Sequence, residues 1–372
     1  MSMANVLHMN GGMEETSYAM NSLLQRKGIS TTLPITKEAI AELMCNSSVA
    51  LGRLVIADLG CASGPNSLFL VSEVIKVAHK LSSEMGHEST DQFQIFLNDL
   101  PGNDFNNIFS SIQGFKEKTR KEMGSCPDSE PLIFITGVPG SFYERLFQTD
   151  SLHFIHSSYS VHWRSEVPRG LEENKGNIYM AKSSPQCVLE AYYKQFQTDF
   201  SSFLEHRAQE LVTGGRMVLT FLGRRSAEPS AKECCYIWEL MSMALNQMAS
   251  EGLIDQEKLD SFNLPLFTPS AMEVEAEVQK QGSFAIEHLE LWDMSWNAYE
   301  GEVDLPEALQ DGGYNVSRCM KALFEPIIAH QFNPSREIID EVFRRYGLLL
   351  SEWMAKERAV LVSLTVSLTK RR

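Results

Sequence analysis

The sequence has few basic residues for its length and no long apolar run. Its 372 residues include 33 Lys and Arg against 48 Asp and Glu, a formal net charge of -15. Because nucleic-acid binding relies on clustered basic side chains that neutralise phosphates, this balance argues against a nucleic-acid partner. The longest apolar runs, such as residues 132–135, are far too short to span a bilayer. We therefore expect neither a nucleic-acid-binding nor a membrane protein.

Cysteine is present, but its spacing does not indicate a disulfide framework. The seven cysteines are scattered, odd in number and contain no Cys-x-x-Cys pair. This usage predicts a reduced chain rather than a disulfide scaffold. The first ten residues contain no apolar run of signal-peptide length. The cytoplasm is the expected location.

Two common nucleotide-binding motifs are missing from the turn where they would be expected. The apolar residues Leu54–Ala57 predict a short buried strand, Asp58 ends it, and Gly60 and Gly64 lead into a helix that starts near Ser67. This turn has neither the dinucleotide Gly-x-Gly-x-x-Gly nor the Gly-Lys-Ser/Thr of a phosphate loop. A strand, an acid and a glycine turn nevertheless hold nucleosides in doubly wound α/β folds. S-adenosylmethionine is the obvious candidate, because its adenosine carries an amino acid on a sulfonium and not a phosphate. The alternative is an ordinary turn that binds no ligand.

Similar features follow the next two predicted strands. Asp99 follows a strand predicted over 94–98, and an acid there can accept two hydrogen bonds from ribose hydroxyls. Ser141 and Phe142 follow a strand predicted over 132–136, where a serine can bond the adenine edge and an aromatic ring can stack on its face. A solvated loop aspartate and a Pro-Gly turn with a buried phenylalanine are the structural alternatives. Taken with the acid of the first turn, the pattern favours a nucleoside.

The order of predicted elements indicates an α/β protein. Strands and helices alternate in the first part of the chain, which predicts a mostly parallel sheet with helices on both faces. We expect an S-adenosylmethionine-binding α/β domain over 1–228 and a mainly helical, substrate-binding cap over 229–345, placed over the carboxyl edge of the sheet. Residues 346–372 are expected to return to the sheet. Within them, residues 360–368 alternate apolar and polar side chains, which predicts an antiparallel strand at an edge.

Distinctive motifs occur in a fixed order along almost the whole chain. They are His8–Asn10, Ser17–Ser22, Asp58–Asn66, Phe96–Phe105, Gly137–Phe142, Leu152–Trp163 and Asn174–Tyr179. Together they resemble the plant salicylate, benzoate and theobromine family of methyltransferases. Within it the chain is similar first to salicylate carboxyl methyltransferases and next to the xanthine N-methyltransferases of caffeine synthesis. With the element order, the resemblance implies a Rossmann-like, mostly parallel seven-stranded sheet with a helical cap over its carboxyl edge.

The resemblance implies a role for each matching position. Residues implied to surround S-adenosylmethionine are Tyr18, Ser22, Asp58, Gly60, Cys61, Asn66, Asp99, Leu100, Ser141, Phe142 and Ser158. Residues implied to bind the acceptor are Gln25, Tyr159, His162, Trp163, Leu222, Ile237, Trp238, Met320 and Leu361. Gln25 and Trp163 would donate hydrogen bonds to a substrate carboxylate, and with His162 they form the implied catalytic set. Relatives also imply a homodimer.

A divalent metal is sometimes assigned in this family. The positions implied to hold it are Asn174, Asp260, Phe262 and Asn263. Two side-chain amides, one carboxylate and one backbone carbonyl are all oxygen donors, which suit Mg²⁺. Such a site would be structural and distant from the transferred methyl group. The absence of any metal is the alternative.

The implied reaction transfers a methyl group to the carboxylate of a small aromatic acid, benzoate or salicylate, and gives the methyl ester. A benzoate-like carboxyl has a pKa of about 4, so at neutral pH it is already an anionic nucleophile. No general base is needed. The enzyme must hold one oxygen in line with the methyl group inside a dry aromatic pocket.

Because of His162, a xanthine alkaloid is a second candidate for the methyl acceptor. An imidazole can bond a purine carbonyl, can take the proton of a ring N–H before N-methylation of a xanthine alkaloid, or can simply form a wall. Arg164 stands where leucine is usual in the family, and alternation along the segment predicts that it points away from the pocket with a neutral effect. A nucleoside-binding protein without catalysis is a third hypothesis, which the presence of Asp99 and Trp163 disfavours.

Overall fold

A seven-stranded sheet forms the centre of the computed structural model, which describes residues 6–12, 14–46, 52–84, 90, 92–123 and 131–372. In chain order its strands are β1 (Arg53–Leu59), β2 (Gln92–Asp99), β3 (Leu132–Pro139), β4 (Leu152–Ser158), β5 (Leu211–Gly223), β6 (Phe284–Ser295) and β7 (Val360–Lys370). Across the sheet the order is β3-β2-β1-β4-β5-β7-β6. The sequence also predicts a helix over 37–50 and a polar connection over 85–92. Cys126, residues 47–50 of that helix and most of that connection lie outside the described residues.

The sheet is mostly parallel, as the sequence predicts. Strands β1 to β5 pair only in parallel with one another, whereas β7 runs antiparallel to both β5 and β6. The predicted edge position of the last strand is wrong, because β7 is interior and β6 forms that edge. The sequence pattern does not reveal β6, since only Phe284 in it is fully buried and no clean alternation results. This strand lies inside the range predicted for the cap.

Helices cover both faces of the sheet. They are α1 (Tyr18–Asn21), α2 (Leu23–Asn46), α3 (Asn66–Glu84), α4 (Phe105–Met123), α5 (Gln186–Glu210), α6 (Lys232–Ser250), α7 (Gln256–Asp260), α8 (Ala271–Gln281), α9 (Gly312–Phe332) and α10 (Arg336–Met354). Helix α2 starts at Leu23, well before residue 37, where the sequence predicts its start. The prediction starts too late because Gly28 and Pro34 lie inside the helix and weaken the helical pattern. Within the described residues, none of the helices combines the length and the apolar character needed to cross a membrane.

Two apolar cores lie on opposite sides of the sheet. The smaller core packs α2, α3 and the start of α4 against β1, β2 and β3, with Ile40, Val71 and Ile95 fully or almost fully buried. The larger core packs α5, α6, α9 and α10 against the other face and includes Phe200 and Leu245. Because these layers hold the strands rigidly, the loops after β1, β2, β3 and β4 are fixed next to one another at the carboxyl edge.

Candidate active site

A cavity of about 380 Å³ opens at the carboxyl edge of the parallel strands. Gly60 follows β1, Asp99 ends β2, Ser141 follows β3 and Ser158 ends β4, and all four line the cavity. The fold therefore brings together the three strand ends that the sequence singles out. The cavity continues under α9 to an aromatic half that includes Trp238.

Most of the predicted site residues line this cavity. On the nucleoside side these are Tyr18, Gly60, Asp99, Leu100, Ser141, Phe142 and Ser158. On the acceptor side they are Gln25, Tyr159, His162, Trp163, Leu222, Trp238, Met320 and Leu361. Five predicted residues are not among those that line it, namely Ser22, Asp58, Cys61, Asn66 and Ile237. These five lie behind the wall, and all are buried.

The turn after β1 requires glycine at position 60. Its φ is 75°, in the left-handed region, and a Cβ there would lie 2.1 Å from the Ser160 hydroxyl oxygen. The backbone N–H groups of Gly60 and Cys61 both donate to the carbonyl of Asn98. This arrangement ties the turn after β1 to the end of β2, so the two predicted nucleoside elements form one surface.

Asp99 is held by backbone donors of both turns. Its carboxylate accepts the N–H of Ala62 at 2.7 Å and the N–H of Leu100 at 2.8 Å. Burial, with a smaller contribution from the nearby Asp58, raises the pKa of Asp99 to about 6 against the opposing effect of the two backbone hydrogen bonds. Each oxygen accepts only one of these bonds and keeps a further acceptor site. The carboxylate can therefore accept two ribose hydroxyls, as the sequence predicts.

Asp58 lies behind the cavity and is paired with a buried histidine. His156 Nδ1 on β4 lies 2.8 Å from an Asp58 carboxylate oxygen. Asn66 supports the same turn from the other side, since its amide donates to the carbonyl of Ser22 at 3.0 Å. The sequence places His156 in a predicted strand and indicates a structural role, but it does not reveal Asp58 as the partner. In this structure these residues hold the turn in place.

The acceptor half is a box of aromatic rings. The rings of Trp163 and Trp238 flank Phe324, with ring centroids 5.3 and 5.1 Å away. His162 lies beside Trp163, with the two ring centroids 5.7 Å apart. Among the described residues no hydrogen-bond acceptor lies within bonding distance of the Trp163 indole N–H. The box is therefore apolar and keeps a free donor.

Gln25 brings a second neutral polar group to the acceptor half. It lies in the first turn of α2, is 8% exposed and lines the cavity. Its amide nitrogen has only a long contact, 3.9 Å, with the thiol of Cys319, and its amide oxygen is buried without a partner among the described residues. A buried amide without a strong internal partner is available to a ligand.

His162 is held as a neutral ring. Its Nδ1 is positioned to accept the backbone N–H of Leu222 at a long 3.5 Å, which leaves the proton on Nε2. Burial, followed by the charge of Arg164, lowers the pKa of His162 to about 3. The imidazole is thus a weak base. As a wall and neutral hydrogen-bonding group it fits the structure, whereas a proton-abstracting role does not.

Tyr159 depends on a glycine that sequence reasoning missed. The φ of Tyr159 is 54°, and its hydroxyl lies 2.7 Å from the hydroxyl of Ser363. A Cβ at Gly28 in α2 would lie 2.4 Å from the Tyr159 hydroxyl oxygen, so only glycine leaves room for this ring. An isolated glycine inside a helix is the sequence signal that could have found it.

The four residues predicted to hold a metal do not present a set of free oxygens. The Asn174 side-chain oxygen accepts a hydrogen bond from Ser184 at 2.7 Å, and its amide nitrogen donates to the Asn263 side-chain oxygen at 2.7 Å. Asp260 accepts from Gln256 at 2.9 Å. Among the described residues, no three His, Cys, Asp or Glu side chains lie together so as to hold an ion. As arranged, the two asparagine oxygens of the predicted set are engaged in internal hydrogen bonds, and the metal site stays a prediction.

The fold and the cavity together define an S-adenosylmethionine-dependent methyltransferase: a nucleoside turn without a phosphate loop joins a dry acceptor pocket. Residues 4–371 match the family of SAM dependent carboxyl methyltransferases, and the chain belongs to it. The family and the cofactor predicted from the sequence are confirmed.

Relatives of this family match the whole chain. Salicylate carboxymethyltransferase from Clarkia breweri is 53% identical, over 100% of this chain and 99% of the relative. A benzoic acid/salicylic acid carboxyl methyltransferase from Petunia hybrida is 50% identical, over 100% and 99%. A solved structure of loganic acid methyltransferase with SAH superimposes with a TM-score of 0.83, at 29% identity, over 98% of this chain and 99% of that one.

Proposed function

We propose that this enzyme methylates the carboxylate of a small aromatic acid, benzoate or salicylate. The observation that carries the proposal is the pair of neutral polar groups in the aromatic half, the Gln25 amide and the Trp163 indole N–H. Neither has a strong internal partner among the described residues. The two curated relatives described above, 53% and 50% identical, are named as salicylate and benzoic acid/salicylic acid enzymes, which supports the same acceptor class.

The chemistry needs positioning rather than a base. When bound, S-adenosylmethionine supplies a sulfonium methyl group, so that an O–CH₃ bond forms as the S–CH₃ bond breaks and a neutral ester and a thioether result. Gln25 and Trp163 can orient the carboxylate without adding a competing charge. The rings around them exclude water, which helps because the two reacting charges cancel in the transition state.

N-methylation of a xanthine alkaloid, the alternative acceptor reaction, is not favoured. That reaction needs a ring N–H proton to leave, and the one candidate base that the sequence offered has a pKa of about 3. The curated relatives described above are carboxyl methyltransferases. Benzoate, in contrast, arrives already ionised.

A direct test is incubation with labelled S-adenosylmethionine and a panel of benzoate, salicylate, xanthine and methylxanthines. We expect label in methyl benzoate or methyl salicylate. Trp163→Phe should lower kcat/KM for the acid about 10-fold or more, since a hydrogen bond to a charged group contributes roughly 1.5–3 kcal/mol. Cofactor affinity should stay within about twofold.

Trp353→Phe is the matched control, because that ring packs on Tyr236 with centroids 5.1 Å apart and does not line the cavity. It should leave the acid kinetics unchanged. Equal turnover by Trp163→Phe and the wild type would remove Trp163 from the site, and label found only in methylxanthines would overturn the acceptor class.

We also propose that the range 229–345 acts as the substrate-binding cap. Trp238, Leu266, Trp296, Met320 and Phe324 all come from this range and line the acceptor half of the cavity, which supports the division. The range 1–228 supplies the strand ends of the nucleoside half, and 346–372 returns to the sheet through β7. Substitution of Met320 should therefore change the acceptor KM and not the cofactor affinity.

For the assembly and location we propose a homodimer in the cytoplasm. The dimer rests on the family resemblance. The location is supported by the described cysteines, which are all free thiols. Sedimentation of the purified protein tests the dimer: a mass near twice 41.9 kDa is expected, and a monomer at micromolar concentration contradicts it.

A further inference from the structure

A buried arginine lines the cavity next to His162 and Trp163. Arg164 is 1% exposed, and its guanidinium lies over the ring faces of Tyr143 and Phe196, 5.6 and 5.3 Å from their centroids. The sequence pattern predicts that Arg164 points away from the pocket and has a neutral effect. The structure instead places its side chain among the residues that line the cavity, next to the segment that carries His162 and Trp163.

The guanidinium contacts the backbone of that segment. It donates to the carbonyl of Val161 and, at 3.4 Å, to the carbonyl of His162. The Arg164 backbone N–H donates to the carbonyl of Pro265 at 2.6 Å. A planar fork with several donors can hold two carbonyls at once, which a lysine ammonium cannot do with the same geometry.

Asp199 on α5 lies beside this arginine and holds the next residue. Its carboxylate lies 3.9 Å from Arg164 Nη1 and accepts the N–H and the hydroxyl of Ser165 at 2.9 and 2.7 Å. Gln195, one turn earlier on α5, donates to the same carboxylate at 3.0 Å. The segment is thus tied to a rigid helix of the larger core.

Tyr143 completes the frame. Its hydroxyl donates to the carbonyl of Trp163 at 2.5 Å, and its ring is the one that the Arg164 guanidinium covers. Three successive carbonyls, those of residues 161, 162 and 163, therefore each receive a side-chain hydrogen bond from Arg164 or Tyr143. Backbone held at three consecutive peptide groups leaves its side chains little freedom to reorient.

We propose that Arg164 and Asp199 form a positioning pair that sets the orientation of His162 and Trp163 toward the acceptor. Both residues line the cavity. The proposed role of the pair is exerted through the backbone of residues 161–163, and the inference rests on the proposed acceptor function of that pocket. The same cation disfavours protonation of His162, since its charge lowers the pKa of that ring in addition to burial.

The test compares three variants with a matched control. Arg164→Lys keeps the charge and loses the fork, Asp199→Asn keeps an acceptor for Ser165 and loses the charge, and Arg164→Leu/Asp199→Leu removes both buried charges. Arg224→Lys is the control. Arg224 is equally buried and pairs with Glu273, but it does not line the cavity.

We expect Arg164→Lys and Asp199→Asn to lower kcat/KM for benzoate or salicylate at least 10-fold, with cofactor affinity within about twofold of wild type. Arg224→Lys should change the melting temperature, but it should lower neither kcat/KM for the acid nor cofactor affinity. The double leucine variant keeps the test valid if the single variants do not fold, because replacing a buried ion pair with apolar residues is often neutral for stability. It should fold and still show the acceptor defect.

Two results would overturn the proposal: wild-type acceptor kinetics in the double variant, or a parallel loss of cofactor affinity and acceptor kcat/KM in all three. Trp163→Phe separates this inference from the proposed function. If Trp163→Phe is impaired while the Arg164 variants are normal, only the positioning role is wrong. If Trp163→Phe is itself normal, the acceptor site is wrong and the inference is overturned with it.

Discussion

Among single residues, Asp99 is the one whose charge should control cofactor binding. Its pKa is raised to about 6 by burial, so the carboxyl is largely protonated below that pH in the free enzyme. A protonated acid has lost acceptor capacity for two ribose hydroxyls. Cofactor affinity should therefore fall as the pH drops through about 6, by up to about tenfold per pH unit.

Calorimetric titration of S-adenosylmethionine from pH 5 to pH 8 measures this effect. Asp99→Asn is the matched variant, since it keeps the shape and removes the titrating proton. It should bind more weakly at pH 8 and show no such slope. A slope that persists in Asp99→Asn would assign the pH dependence to another group.

His162 should make the stability of the enzyme sensitive to acid. Its pKa is about 3 in the folded state, whereas a histidine in the unfolded chain titrates near 6.5. Because only the unfolded chain takes up the proton, the stability tied to this residue is complete above pH 6.5 and is lost as the pH falls toward 3. At pH 5 the loss is about 2 kcal/mol.

Replacement of His162 by Met removes this linkage. Urea unfolding at pH 7 and pH 5 should therefore show a smaller loss of unfolding free energy in His162→Met than in the wild type, by about 2 kcal/mol. Identical pH dependence in both proteins would mean that the imidazole is protonated in the fold.

At the scale of elements, Gly28 joins α2 to the acceptor wall. A Cβ at this position would approach the Tyr159 hydroxyl to 2.4 Å, and that hydroxyl also contacts Ser363 on β7. Gly28→Ala must therefore displace the Tyr159 ring or shift α2. We expect a loss of about 1–3 kcal/mol in unfolding free energy and a lower acceptor kcat/KM.

Gly114 in α4 provides the matched control. It is also inside a helix, but nothing lies within 4 Å of the Cβ that alanine would add. Gly114→Ala should stabilise the protein by roughly 0.5–1 kcal/mol. If both variants are stabilised alike, Tyr159 does not need the space.

The elements also show where sequence reasoning succeeds and where it stops. The strands near 54–58, 94–98 and 132–136 follow from short apolar runs that end in acids or glycines, and each is found. Helix α9 and strand β6 are missed, because Pro326 interrupts the helical pattern and β6 is only half-buried. A local apolar pattern predicts which face of a helix or strand is buried. It does not predict which other elements cover that face.

The site shows the same division. Many of the residues that line the cavity are implied by the family resemblance, but others, such as Asp199 and Phe324, are not. The supporting contacts are not implied either, because His156, Gly28 and Asp199 meet their partners only through tertiary packing, across 98, 131 and 35 positions of the chain. Arg164 is the clearest case. Alternation along the segment predicts that it points away from the pocket, yet it lines the cavity, and the carboxylate beside it comes from α5.

At the scale of the whole molecule, the net negative charge should favour binding of S-adenosylmethionine and disfavour binding of the acid. The chain carries a formal net charge of -15, S-adenosylmethionine carries a net positive charge, and the acceptor is an anion. Raising the ionic strength from about 10 to 150 mM shortens the screening length from about 30 to 8 Å. We expect cofactor affinity to fall and kcat/KM for benzoate to rise by about twofold, because long-range attraction and repulsion are both screened.

The neutral methyl ester product is the control for this charge effect. Its inhibition constant should be insensitive to salt, since it carries no charge for the field to act on. If instead affinity for cofactor, acid and ester all fall together with salt, the effect belongs to the stability of the fold and not to the field. If salt weakens cofactor binding, raises kcat/KM for the acid and leaves inhibition by the ester unchanged, the acidic surface favours the cation. Binding of the acid would then depend on the neutral dipoles of Gln25 and Trp163.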